Sequence, residues 1–270
     1  MRKKLRSAAL GVPPVRRLVE QRDRLQRELD KQRDVNDRLR RTVDELASAS
    51  AAEGADYASL FMVTYGRSGS TLLQGFLNSI PGYTIRGENG GALYQLYRYH
   101  SALEAKAAEL AVGGRLPDDA THPWYGMHVY PAGLALDDQR RLVLDTILRP
   151  EPATRVVGFK EVRWYWKDTP EYVGYLQQLF PGARFVFNTR DHDKVAASKW
   201  WRDRPNAREE LDRIEGMHLG ILESLGDKGF RVHYDDYVAD PAALEPMYGW
   251  LGEPFDADRL RAVMAQPHSY

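Results

Sequence analysis

The chain reads as an α/β protein, a parallel sheet with helices on both faces, preceded by an N-terminal coiled-coil helix. Three observations lead there. From residue 58 onward, strand-like apolar runs alternate with helical patterns, the order expected of a parallel sheet covered on both faces. The apolar run Leu60-Phe61-Met62-Val63-Thr64-Tyr65 leads through a glycine-bearing turn into a helical pattern. The residues with chemical potential then fall just past strand ends, where open parallel sheets bind ligands.

Taken in order, residues 1–50 are a basic arm and coiled-coil helix, with 14 Lys/Arg against 8 Asp/Glu. Over residues 15–50 a heptad register places Leu18, Leu25, Gln32, Leu39 and Leu46 at d. It places Val15, Arg22, Leu29, Asn36, Val43 and Ser50 at a. A lone Asn at an a position sets register and favours two strands, so the expectation is a parallel homodimer. A solvated single helix carrying some leucines is the other reading. Residues 51–57 form a small, polar linker, and residues 58–270 are the main domain. Its strands are expected at about 58–65, 83–86, 155–160, 184–190 and 230–234. Its helices are expected at about 69–79, 91–111, 137–148, 170–180, 192–202, 207–226, 241–251 and 257–265. On the first of these helices Leu72, Leu73, Phe76, Leu77 and Ile80 share one side. Residues 113–136, with their glycines, prolines and Trp124, Tyr125 and Tyr130, read as a long ordered loop.

Composition excludes several classes. Lys plus Arg and Asp plus Glu are both 38, so the whole chain has no field that demands nucleic acid. Beyond residue 50 the balance turns mildly acidic, at 24 against 30. With no cysteine there is no disulfide, thiolate metal site or cysteine nucleophile. No histidine pair has a convincing zinc spacing, and no metal is expected. Met1-Arg2-Lys3-Lys4-Leu5-Arg6 imitates the start of a signal peptide, but Pro13-Pro14 breaks the short apolar part that follows. No run approaches the length of a membrane span. The basic surplus of the first fifty residues suits weak peripheral contact with acidic lipid headgroups.

Gly66, Arg67, Ser68, Gly69, Ser70 and Thr71 form the most informative stretch. A strand, a glycine turn and a helix start together cradle a phosphate, because glycines let the backbone approach and the free N–H groups point at the anion. A nucleotide triphosphatase loop needs a Lys just before its final Ser/Thr. Here Gly69 is followed by Ser70, and the cation sits early, at Arg67. This stretch resembles the 5′-phosphosulfate loop of sulfotransferases that use 3′-phosphoadenosine 5′-phosphosulfate (PAPS).

The resemblance covers about residues 58–255. The strand-like run Arg184-Phe185-Val186-Phe187-Asn188-Thr189-Arg190 is followed eight residues after Arg190 by Ser198 on the next predicted helix. In that family an Arg and a Ser so spaced grip the 3′-phosphate. The resemblance therefore implies a P-loop-like sulfotransferase fold, with PAPS as co-substrate. It assigns Gly66 to Thr71 to the 5′-phosphosulfate, and Arg190 and Ser198 to the 3′-phosphate. Lys160, at the end of Val156-Val157-Gly158-Phe159-Lys160, matches a family lysine that contacts the leaving oxygen; an exposed strand-end lysine is the other reading. For the base, Arg86-Gly87-Glu88-Asn89 is similar to the segment after the second strand in tyrosylprotein and heparan sulfotransferases, which points to Glu88. Glu161 is the second candidate. The small-phenol branch has a His two residues after the strand-end Lys, and Val162 stands there. The body thus looks like the bacterial and Golgi-type carbohydrate or protein branch, acting on a hydroxyl of a carbohydrate, glycolipid or other metabolite. PAPS is cytosolic, so a cytoplasmic location follows. Tyr234-Asp235-Asp236-Tyr237 is similar to the family's closing segment and is read as fold support. Two rivals stand beside this reading: a nucleotide kinase with a degenerate phosphate loop, and a non-catalytic coiled-coil scaffold.

Overall fold

The computed structural model describes residues 19–33, 35, 38, 57–112 and 116–266. The chain divides into two compact units, Met1–Glu53 and Gly54–Tyr270. In the first, residues 19–33 form helix α1, with Leu25 and Leu29 exposed. Much of the heptad over residues 15–50 lies outside the described residues.

The second unit runs β1 (Ala58–Val63), α2 (Ser70–Asn78), β2 (Tyr83–Arg86), α3 (Ala92–Val112), α4 (Ala132–Val143) and β3 (Val156–Glu161). It continues with α5 (Thr169–Leu179), β4 (Arg184–Thr189), α6 (His192–Ala196), α7 (Ala207–Leu225) and β5 (Gly229–His233). Three short helices close it: α8 (Tyr234–Ala239), α9 (Glu245–Leu251) and α10 (Ala257–Met264). The strands form one parallel sheet in the order β2-β3-β1-β4-β5. In the register, Met62 at the centre faces Lys160 on one side and Val186 on the other.

The alternation of β1 explains the two covered faces. Phe61 and Val63 join a core with Phe159, Phe185, Phe187 and residues of α3, α5 and α7. Leu60 and Met62 join the opposite core, with Leu73, Phe76 and Leu77 of α2 and residues of the closing helices. A side-chain period of two on a strand buried from both sides requires this division. The parallel pairing of all five strands aims every carboxyl end at the same edge.

Three helical expectations need correction. The helix expected over 192–202 stops at Ala196; Ser198 is extended (φ −102°, ψ 130°) and Lys199 has φ 43°. Ser198 is therefore not on a helix. The break turns Trp201 into the core, where its Nε1 donates to the Gly66 carbonyl at 2.9 Å. The helix expected over 137–148 begins earlier, at Ala132, and passes into one π-helical turn, Leu144–Leu148. The segment after β5, absent from the expected helices, is the helix α8, and residues 241–251 begin as a 3-10 turn before α9.

Candidate active site

The loop between β1 and α2 is braced by the protein's own side chains. Arg67 has φ 70° and Gly69 φ 78°, both left-handed. A Cβ on Gly69 would lie 2.0 Å from the Tyr234 ring, and one on Gly66 would lie 2.6 Å from the Trp200 ring. The loop's backbone is thus tucked beneath two aromatic rings that would have to shift for any side chain placed below them. Buried polar groups pin it from the sheet side. Thr64 Oγ1 lies 2.6 Å from Ser68 Oγ and donates to the Asn188 carbonyl at 2.8 Å. Asn188 Nδ2 donates to the Ser68 carbonyl at 2.9 Å, and Tyr237 donates to Asn188 Oδ1 at 2.8 Å. Helix α2 then starts with no side-chain cap and no acidic residue in its first turn. Its first N–H groups are available to an anion.

Beyond the strand ends lies a cavity of about 520 Å³. Gly66, Arg67, Gly69, Ser70 and Thr71 line it, together with Glu88, Lys160 and Arg190. Three cations and one carboxylate converge from four separate strand ends. Lys160 Nζ donates to Glu88 Oε1 at 2.6 Å, the lysine almost enclosed and the glutamate half-open. Arg190 lies over the Tyr234 ring, 4.4 Å from its centre, and its Nη1 donates to the Arg67 carbonyl at 3.0 Å. Its buried Nε has no hydrogen-bond partner among the described residues.

Two of the residues expected in the site sit just behind the cavity wall. The Ser68 side chain is fully buried within the loop's own bracing. Ser198 Oγ accepts from Arg67 Nε at 3.1 Å, so it touches the cation of the loop. Glu161, the alternative base, ends β3 with its carboxylate buried: Oε1 accepts from the Val162 and Arg163 amides, and Oε2 from the Gly91 amide. That carboxylate staples two loops together and faces neither Lys160 nor the cavity's cations. Sequence reasoning gave Tyr234 no site role, yet its place at the end of a fifth strand was the available signal. Val238 and Met264 also line the cavity. They come from closing helices whose apolar residues look like ordinary core, so nothing in the sequence marks them.

A family model described as the sulfotransferase family matches residues 59–257. The chain belongs to the sulfotransferase family. The match spans β1 to the start of α10, so every residue of the constellation except Met264 lies inside it. Among solved structures, this sulfotransferase is similar to the sulfotransferase domain of the Synechococcus PCC 7002 olefin synthase. That likeness has 18% identity and a TM-score of 0.46, over 80% of each chain. Sulfotransferase STF9 from Mycobacterium avium aligns at 16% identity with a TM-score of 0.45, over 80% of this chain and 70% of that one. The sulfotransferase domain of the curacin biosynthetic pathway aligns at 14% identity with a TM-score of 0.43, over 80% of each. No curated protein matches the sequence.

Proposed function

We propose that this sulfotransferase transfers the sulfuryl group of PAPS to a hydroxyl of a carbohydrate, glycolipid or other metabolite, leaving adenosine 3′,5′-diphosphate and a sulfate ester. The observation that carries the reading is the convergence of Arg67, Lys160, Arg190 and the uncapped start of α2 on one cavity that also holds Glu88. The residues fit a ligand with anionic groups at two places. The glycines bring bare backbone to the cavity wall, and Arg190 keeps an unpartnered buried Nε.

When bound, PAPS supplies an activated sulfuryl group on a phosphate leaving group. The α2 amides, Ser70, Thr71 and Arg67 would hold the 5′-phosphosulfate, and Arg190 the 3′-phosphate. Ser198 would act through its bond to Arg67 Nε, steering that cation. Transfer spreads negative charge toward the sulfuryl and bridging oxygens, and fixed donors act most strongly on charge that develops there. Lys160 would neutralise the bridging oxygen as its bond to sulfur breaks. Glu88 would accept the acceptor's proton as the new oxygen–sulfur bond forms. The pair already touches, so each group orients the other before substrate arrives. The sulfotransferase is further proposed to work as a cytoplasmic homodimer joined through its N-terminal helix. The exposed leucines of α1 support the helix pairing, and the cytosolic supply of PAPS supports the location.

Calorimetry with adenosine 3′,5′-diphosphate, adenosine 5′-phosphate and ATP tests the reading. The 3′,5′-diphosphate is expected to bind most tightly. Arg190→Ala is expected to weaken it about ten- to a hundredfold, through loss of a charge-assisted fork, while changing the 5′-phosphate much less. Preference for ATP would overturn the reading in favour of a kinase.

A further inference from the structure

Arg190 is held from behind by residues that the reaction does not use. Tyr65, the residue between β1 and the glycine loop, is 1% exposed. Its hydroxyl accepts from the Arg190 backbone amide at 2.8 Å, and its proton faces two acceptors, Glu215 Oε2 on α7 at 2.8 Å and the Arg190 carbonyl at 3.0 Å. Glu215 Oε2 also lies 2.8 Å from His192 Nε2, and Glu215 Oε1 accepts from Arg231 at 3.2 Å. His192 Nδ1 in turn lies 2.6 Å from Asp212 Oδ1. A phenol has one proton and accepts through its lone pairs. Glu215 is the nearer and the charged acceptor of that proton, and a lone pair of the Tyr65 oxygen is left facing the Arg190 amide. Burial pushes the Tyr65 phenol well above its ordinary range, so it stays a donor.

The chain position of these groups matters. Tyr65 is two residues from Arg67, and its hydroxyl grips the backbone of Arg190. It therefore ties the carboxyl end of β1 to that of β4, the two ends that carry the arginines of the cavity. The Arg190 guanidinium completes the link by donating to the Arg67 carbonyl. We infer that Tyr65, oriented by Glu215, is a positioning residue that sets the spacing between the 3′-phosphate arginine and the 5′-phosphosulfate loop. It thereby determines how strongly the enzyme prefers a 3′-phosphorylated nucleotide. This rests on the PAPS reading, and it assigns a role to residues outside the cavity lining.

The full chain is titrated calorimetrically with adenosine 3′,5′-diphosphate and with adenosine 5′-phosphate, as wild type, Tyr65→Phe and Glu215→Gln. Unfolding midpoints are recorded alongside. Tyr65→Phe is expected to weaken the 3′,5′-diphosphate about tenfold and the 5′-phosphate by less than about twofold, as one lost hydrogen bond behind Arg190 implies. In turnover with PAPS, KM is expected to rise with kcat little changed, the mark of lost ground-state positioning. Glu215→Gln still offers an oxygen to the Tyr65 proton and is expected to keep most of the preference. Should Tyr65→Phe unfold, Glu215→Ala tests the same role, since it removes the charged acceptor that orients the phenol and leaves it only the Arg190 carbonyl. Equal losses for both nucleotides, or an unchanged preference in Tyr65→Phe or Glu215→Ala, overturn the positioning role alone. A wild type with no preference for the 3′-phosphate overturns this inference and the cofactor reading together.

Discussion

Glu88 and Lys160 meet at 2.6 Å although they stand 72 residues apart in the chain. The contact supports Glu88 over Glu161 as the proposed base, since Glu161 spends both its oxygens on backbone amides. Glu88→Gln keeps the shape and still accepts from Lys160 but cannot take a proton. It is expected to lower turnover roughly a hundredfold while nucleotide affinity, read by calorimetry, stays nearly unchanged. Near-normal turnover in Glu88→Gln would remove it as the base. A second residue-scale expectation concerns His218, buried on α7 with its Nε2 donating to the Trp164 carbonyl at 2.8 Å. Burial lowers its pKa from 6.5 to about 4. The unfolded chain therefore binds the extra proton more readily than the folded one. The stability tied to His218 is full above pH 6.5 and is lost as pH falls from there toward about 4. A shift of this size corresponds to a loss on the order of 3 kcal/mol. Denaturant unfolding across that window should show the fall in the wild type and a flatter profile in His218→Gln. Parallel profiles would mean that His218 is not the group responsible.

The element that carries most of the chemistry is the turn from β1 into α2. Its glycines, its early arginine and the apolar strand before it made this turn legible, because each property is local and appears in consecutive residues. All five strands fall within a residue or two of the sequence expectation for the same reason. The break after α6 was not legible, since Lys194 to Trp201 reads as a continuous helix until tertiary packing draws Trp201 inward. Nor were the cavity's Val238 and Met264, placed by the docking of short helices far along the chain. Gly69 and Gly66 give a matched test of the turn. At Gly69 an added methyl meets both a left-handed backbone and the Tyr234 ring, held under Arg190. At Gly66 it meets the Trp200 ring, which is 44% exposed, with no left-handed backbone to strain. Gly69→Ala should cost about 1–3 kcal/mol of stability and Gly66→Ala less, measured by denaturant midpoints. Equal losses would show that the rings, and not the backbone, set the turn.

For the whole molecule, the boundary between the two units at Glu53 and Gly54 separates a charged N-terminal region from the sulfotransferase body. No helix among the described residues is long and apolar enough to cross a membrane. If the N-terminal heptads join two chains, a protein beginning near residue 55 should be a folded, active monomer in light scattering, and the full chain a dimer. A truncated protein that remains dimeric would place the interface in the body and leave the heptads without that role. One cavity with three cations and one carboxylate is proposed to act on a sulfuryl donor. The most direct measurement incubates the full chain with PAPS labelled in its sulfuryl group and a panel of carbohydrate and glycolipid acceptors, followed by mass spectrometry. The expected result is labelled sulfate ester formed in step with adenosine 3′,5′-diphosphate. Tight binding of that nucleotide with no label passed to any hydroxyl would contradict the claim.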